Sequence, residues 1–188
     1  IKKKYLDKGK LGEISVSKRL KRLDNNKYKV INDVILKTSR GTSQIDHLVV
    51  SNYGIFIIET KNYQGWIVGG ENADNWQQII YNKKNFFRNP IKQNYGHIKA
   101  IEENLKVNNK IEYISIIVFM NRCDLKVNTT TPVVYVYDLL KEIYKYKKHV
   151  LSEEEVKITY KMLLKANKNS MYMRWKHLIN VKNNMKKY

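Results

Sequence analysis

Asp46, Glu59 and Lys61 break into the stretch QIDHLVVSNYGIFIIETK (residues 44–61), where apolar residues would suit two paired strands. Carboxylates are hard oxygen ligands suited to Mg²⁺ or Mn²⁺, and an adjacent ammonium can offset charge that builds on a phosphate during hydrolysis. A turn centred on Asn52 and Tyr53, with Gly54 supplying permissive backbone, predicts the register. Val50 then faces Ile55, Leu48 faces Ile57, Asp46 faces Glu59 and Gln44 faces Lys61. Side chains alternate along a strand, so Gln44, Asp46, Glu59 and Lys61 are expected on one face, continuous with Leu48 and Ile57. Directly opposed carboxylates have Cβ atoms about 5 Å apart and repel unless a cation lies between them. Such a cation activates water for attack on a phosphodiester. Glu13, upstream, could complete its shell directly or through water. The same residues admit a purely structural reading, with Glu59 and Lys61 as an ion pair at a strand end and Asp46 hydrogen-bonded to loop backbone.

The elements that must position these groups can be read from periodicity. Val16, Leu20 and Leu23 recur at helical spacing over residues 9–23, with Glu13 on the edge of that stripe. YKVINDVILK (28–37) reads as a strand, TSRGTS (38–43) as a polar loop, and GWIVGG (65–70) as a further strand extending the sheet as a meander. Asn89 and Pro90 supply an N-cap and a first-turn proline for a helix to about Val107, with Ile91, Tyr95, Ile98 and Leu105 on one face. YISIIVFM (113–120) and PVVYVY (132–137) read as strands covered on both faces, so a mixed α/β sheet is expected. Helices follow from Leu139 to about His149, after the capping box at Ser152, and from Ser170 onward with Trp175, Leu178 and Ile179. With no repeat or linker, residues 1–188 are expected to form one domain, a core of about 8–137 with a helical extension of about 138–188.

The 36 Lys and Arg against 17 Asp and Glu give a net charge of +19, which favours a polyanionic partner, DNA first. Cys123 is the only cysteine, so no intrachain disulfide can form and a cytoplasmic setting is expected. No apolar run is long enough to span a bilayer, so membrane attachment would need an anchor ahead of Ile1.

Read in order, KGKLGE (8–13), GTSQIDHLVVSNYGIFIIETKNYQGWIVG (41–69), Trp76 and NPIKQNYGHI (89–98) resemble the nuclease-related domain, a branch of the PD-(D/E)XK nuclease superfamily. The resemblance covers roughly the first two thirds of the chain. It implies a restriction-endonuclease-like core and a Mg²⁺- or Mn²⁺-dependent deoxyribonuclease, expected to act as an endonuclease in plasmid or phage DNA metabolism, defence or repair. Asp46 and Glu59 would hold the metal, Lys61 would assist attack, and Glu13 would support the site. Gln93 matches the Gln of a Q-x-x-x-Y pattern, although His97 stands where that pattern has Tyr. A nucleic-acid-binding module of the same fold that cuts weakly or not at all is the alternative.

Further candidates carry weaker signals. Lys37, Arg40, Arg88 and Lys92 flank the expected site and could contact phosphates, or be ordinary surface charges. His97 lies one helical turn from Gln93 and could touch DNA phosphate or a metal water, or be packed. His47 is expected on the opposite face from Asp46 in a structural role. Trp66 and Trp76 could stack on an unpaired base or pack in the core. The glycines of WIVGG are expected to make a turn, and no glycine-rich loop leads into a helix, so no nucleotide cofactor is expected. The carboxy-terminal helix, with Lys176, Lys182, Lys186 and Lys187, could meet DNA, a membrane surface or another copy of the chain in a homo-oligomer.

Overall fold

The computed structural model describes residues 7–105 and 111–168; the basic helix expected from Ser170 lies outside them. Helix α1 (Lys8–Leu20) precedes the hairpin of β1 (Tyr28–Thr38) and β2 (Gly41–Ser51), and β3 (Gly54–Lys61) follows through the turn at Asn52 and Tyr53. Strands β4 (Gly65–Gly70), β5 (Asn75–Ile80) and β6 (Lys83–Arg88) lead to helix α2 (Pro90–Leu105). After it come β7 (Tyr113–Phe119), β8 (Cys123–Asn128), β9 (Val133–Tyr135), α3 (Leu139–Ile143) and α4 (Glu153–Ala166). The architecture is mixed α/β, with two mixed sheets flanked by helices, consistent with a restriction-endonuclease-like fold.

The first sheet has the order β1-β2-β3-β7-β9. Its β2–β3 register is the expected one, from Ser51 opposite Gly54 to Leu48 opposite Ile57 and His47 opposite Ile58. Leu48, Val50, Ile55 and Ile57 are fully buried with Ala100 and Ile101 of α2 and Val156 and Leu163 of α4. The alternate residues Val49, Phe56 and Ile58 pack with Val16 and Leu20 of α1 and Leu139 and Ile143 of α3. Each fully buried Leu, Ile or Val contributes about 1.5–3 kcal/mol, so the hairpin beneath the charged residues is firmly held. Gly54 has φ +123°, and a Cβ there would meet the Glu112 carbonyl oxygen at 2.5 Å, so the turn requires glycine.

The meander expectation fails at GWIVGG. Strand β4 belongs to a second sheet, ordered β6-β5-β4-β8, because β7 returns through α2 and pairs in parallel with β3, taking the edge a meander would need. The glycines of that segment make no turn. Gly69 lies within β4, where a Cβ would run into the indole ring of the fully buried Trp76. Strands β5, β6 and β8 had no clear sequence signal; most of β6, KKNFFR, is exposed and carries no alternation to read. TSRGTS is a tight turn at Ser39 and Arg40 rather than a loop, since β2 already begins at Gly41.

Helix α2 starts as expected, Asn89 Oδ1 accepting from the Ile91 amide at 2.9 Å. Its buried face differs: Asn94, His97, Ala100 and Ile101 point inward and Tyr95 is 59% exposed. Asn94 Nδ2 donates to the Ile57 carbonyl and to Ser115 Oγ, both at 2.8 Å, which offsets the cost of burying an amide. The helix expected to reach His149 stops at Ile143, whereas the Ser152 capping box opens α4 as expected. Among the described residues no helix is long and apolar enough to cross a membrane.

Candidate active site

The charged cluster sits where the hairpin opens. The β2–β3 ladder ends at His47 and Ile58; beyond it the Thr60 amide donates to Asp46 Oδ2 at 2.9 Å, a side chain taking the place of a backbone partner. The β1–β2 ladder is interrupted beside the same residue. Asn32 pairs with His47 and Val34 with Ile45, while Asp33 between them adopts φ +56°, a left-handed conformation that Asp tolerates. Asp46 therefore lies at a break in both ladders. From there β2 follows β1, and Glu59, Thr60 and Lys61 pair with Ile117, Val118 and Phe119 of β7.

That divergence corrects the outer part of the expected register. Gln44 does not face Lys61; it pairs with Ile35, and its Nε2 donates to Asp33 Oδ1 at 3.1 Å. Glu59 and Lys61 do share a face, with Lys61 Nζ donating to Glu59 Oε1 at 2.7 Å and to Gln93 Oε1 at 3.0 Å. His97 Nε2 stands 3.2 Å from Glu59 Oε2, and His97 Nδ1 stands 2.8 Å from Ser43 Oγ. His97 is thus packed against Glu59, the second of its two expected roles, with its side chain 9% exposed and engaged at both nitrogens.

The two carboxyls sit in opposite electrostatic conditions. Burial raises Asp46, the Glu59 charge beside it raises it further, and together they push it up to about 8 despite the Thr60 amide and the Lys61 charge. Burial also pushes Glu59 up, but the hydrogen bond from His97 and the Lys61 charge outweigh it and hold Glu59 below the usual carboxylate range. Glu13, on α1, adds negative potential at Asp46 and pairs with Lys10 Nζ at 2.5 Å. The Glu59–Lys61 ion pair and the Asp46 hydrogen bond are both features of the structural reading. The raised pKa of Asp46 is not one of them: burial first and the Glu59 charge second oppose its ionisation.

Among the described residues no group of three or more His, Cys, Asp or Glu side chains is arranged to hold a metal ion. That donor set does not suit a structural zinc cage. It suits a hard ion held by one or two carboxylates with water and substrate phosphate completing the shell. A carboxylate offers about four lone-pair sites, so Glu59 retains acceptor capacity beyond its contacts to Lys61 and His97.

The remaining candidates are dispersed. Lys37 and Arg40 are exposed around the β1–β2 turn, whose Ser39 amide donates to Glu103 on α2 at 2.9 Å. Arg88 is exposed at the end of β6, and Lys92 pairs with Asp74 at 2.5 Å. His47 is structural, as expected: its Nδ1 meets Asn32 Oδ1 at 2.7 Å and burial lowers its pKa to about 4. Trp76 is core, its Nε1 donating to the Gly70 carbonyl at 3.0 Å, whereas Trp66 is exposed. Sequence reasoning missed Ser43, Thr60 and Asn94, none of which belongs to a charged pattern. It also missed a cleft of about 480 Å³ that opens beside Lys61 and is lined by Lys8, Asn62, Tyr63, Gln78 and Arg122.

The nuclease-related domain family matches residues 8–120. An uncharacterized Bacillus anthracis protein, pXO1-01, is 44% identical over 165 residues, which span 85% of this chain and 77% of that protein. No solved structure matches the chain. The family match begins with the first residue of α1 and runs one residue past β7, across every element that contributes to the charged cluster. On that footing the chain belongs to the nuclease-related domain family of the PD-(D/E)XK superfamily.

Proposed function

We propose that the protein is a divalent-metal-dependent deoxyribonuclease that acts as an endonuclease. The observation that carries this reading is the Lys61 ammonium fixed between Glu59 Oε1 and Gln93 Oε1, next to Thr60, whose amide donates to the Asp46 carboxyl. Asp46 and Glu59 would hold Mg²⁺ or Mn²⁺, with Glu13 supporting them through water. When bound, the ion supplies a Lewis acid that makes water acidic enough to attack phosphorus at neutral pH.

The chain's own residues do the rest. Gln93 Oε1 and Glu59 Oε1 fix Lys61 Nζ at 3.0 and 2.7 Å, so the ammonium is in place before charge builds on the phosphate oxygens. His97 holds the far side of the Glu59 carboxylate, and Ser43 holds the His97 ring through Nδ1. Asp46 would have to be ionised to hold the ion, because a carboxylate ligates a metal in its charged form. Hydrolysis joins the water oxygen to phosphorus and breaks one P–O ester bond, giving a phosphate monoester and a free hydroxyl. The net charge of +19 favours a polyanionic substrate, and the pXO1 label of the B. anthracis relative is consistent with a plasmid setting. The rival, a binding module that does not cut, draws on the engagement of both Glu59 oxygens by Lys61 and His97.

Supercoiled plasmid incubated with wild type and with Asp46→Ala, each in Mn²⁺, Mg²⁺ or EDTA, separates these readings. Nicking by wild type only with metal, and loss of nicking in the variant, is the expected result. Cleavage in EDTA, or equal cleavage by both proteins, would sink the mechanism. Binding by both with cleavage by neither would favour the module.

A further inference from the structure

The second sheet turns one face toward Phe119 and Ile117 of the first sheet, and among the described residues the other carries exposed side chains. Register identifies the outer face row by row. Trp66 aligns with Ile79 of β5 and Asp124 of β8, and Ile79 aligns with Lys84 of β6. In the next row of that face Val68 aligns with Gln77 and Lys126, and Gln77 aligns with Phe86. Asn75 aligns with Arg88 one row further. Exposure agrees with this alternation: Trp66 is 54% and Phe86 66% exposed, while the alternate Ile67 and Trp76 are fully buried. Lys84, Arg88 and Lys126 are exposed beside them, and Asp124 is the acidic member of these rows.

Aromatic rings exposed on one pleated face present flat apolar surfaces on which another flat group can stack. Trp66 and Phe86 lie two strands and two residues apart, about 12 Å, with Val68, Ile79 and Gln77 between them, far enough for separate bases. Lys84 and Arg88 stand on either side of Phe86 along β6, and Lys126 lies beside Val68 on β8. Rings that accept flat bases and cations that track phosphates fit a single nucleic-acid strand. A duplex keeps its base faces stacked on one another, out of reach of such rings. A lipid surface would have to bury Asn75, Gln77 and Asp124 among the aromatics without partners.

The path onward leads to the charged cluster. Trp66 and Tyr81 border a cleft that shares Gln64 and Ile80 with the cleft beside Lys61 and Arg122. Tyr81 is 96% exposed and held at φ +52° between β5 and β6, next to the shared Ile80. We propose that the outer face of the β4–β5–β6–β8 sheet is a stacking platform for single-stranded nucleic acid. It leads an unpaired strand past Trp66 and Tyr81 toward Lys61. The destination of the strand rests on the nuclease reading; the platform itself does not.

Fluorescence anisotropy of a labelled oligothymidylate of about twenty nucleotides, longer than a typical single-strand site, and of its duplex with oligoadenylate tests this, in EDTA so that nothing is cut. Trp66→Ala and Phe86→Ala are each expected to weaken single-strand binding about tenfold or more, with duplex binding changed less than about twofold. Lys84→Gln with Lys126→Gln should weaken binding and flatten its salt dependence. Equal losses for both DNA forms, or no loss, would overturn the platform. So would a Trp66→Ala effect confined to anionic phosphatidylglycerol vesicles or to self-association measured by sedimentation. If Trp66→Ala lacks the near-ultraviolet dichroism of a folded core, Phe86→Ala and the double lysine variant decide. Failure of the platform with plasmid nicking intact leaves the nuclease reading standing; selective single-strand binding without nicking leaves only the platform.

Discussion

His97 on α2 and Glu59 on β3 meet across the helix–sheet interface, Nε2 to Oε2 at 3.2 Å, with both side chains almost sealed from solvent. The contact fixes one oxygen of the proposed metal ligand, and Ser43 in turn fixes the ring through Nδ1. His97→Ala removes that support and leaves a buried carboxylate oxygen unpaired, at a cost of about 1–3 kcal/mol in stability. Mn²⁺ affinity by calorimetry should fall about 10- to 100-fold, as for other partners that orient a metal ligand. His97→Gln, which retains a donor, should recover part of it. Unchanged Mn²⁺ affinity in both variants would reduce His97 to packing.

Asp46 makes stability depend on pH in an unusual direction. Its pKa is about 8 in the folded chain against an ordinary value of 3.8, so between those limits the folded state binds more protons than the unfolded state. This group's contribution is therefore present at low pH and is lost as pH rises toward and through about 8, by on the order of a few kcal/mol. In urea unfolding with EDTA, wild type should lose stability relative to Asp46→Asn between about pH 5 and about pH 9. Mn²⁺ should restore it at the upper end. A parallel pH profile for the two proteins would contradict the shift.

The Lys61 ammonium is held by Glu59 and Gln93. Replacing it with Met leaves the Glu59 carboxylate with His97 alone, so the Glu59 pKa should rise. If the ammonium offsets phosphate charge, nicking should fall about 10²-fold or more while binding of intact plasmid in EDTA changes little. Lys61→Met activity equal to wild type would remove Lys61 from the mechanism.

Gly54 should tolerate no side chain. Its φ of +123°, and the Glu112 carbonyl oxygen 2.5 Å from where a Cβ would stand, oppose Ala twice, by strain and by collision. Gly54→Ala is expected to cost about 2 kcal/mol or more in thermal unfolding. Because the turn sets the β2–β3 register, the variant should also weaken Mn²⁺ binding. A melting temperature equal to wild type would refute the requirement.

The sequence by itself determined the parts whose cause is local. Alternating Leu48, Val50, Ile55 and Ile57 around Asn52, Tyr53 and Gly54 specify the hairpin and its inner register, and Asn89, Pro90 and Ser152 specify where helices begin. Glu59 and Lys61 fall on one side of β3 because side chains alternate along a strand. Tertiary structure decided what two distant segments do to each other. Strand β7, more than fifty residues beyond the hairpin turn, takes the edge of β3, draws Glu59 and Lys61 away from Gln44, and sends β4 into a second sheet. Helix α2 turns Asn94 and His97 inward because the Ile57 carbonyl, Ser115 and Glu59 wait there with unmet hydrogen bonds. No pattern within α2 encodes those partners, since burial of a polar side chain is decided by what it meets across the interface.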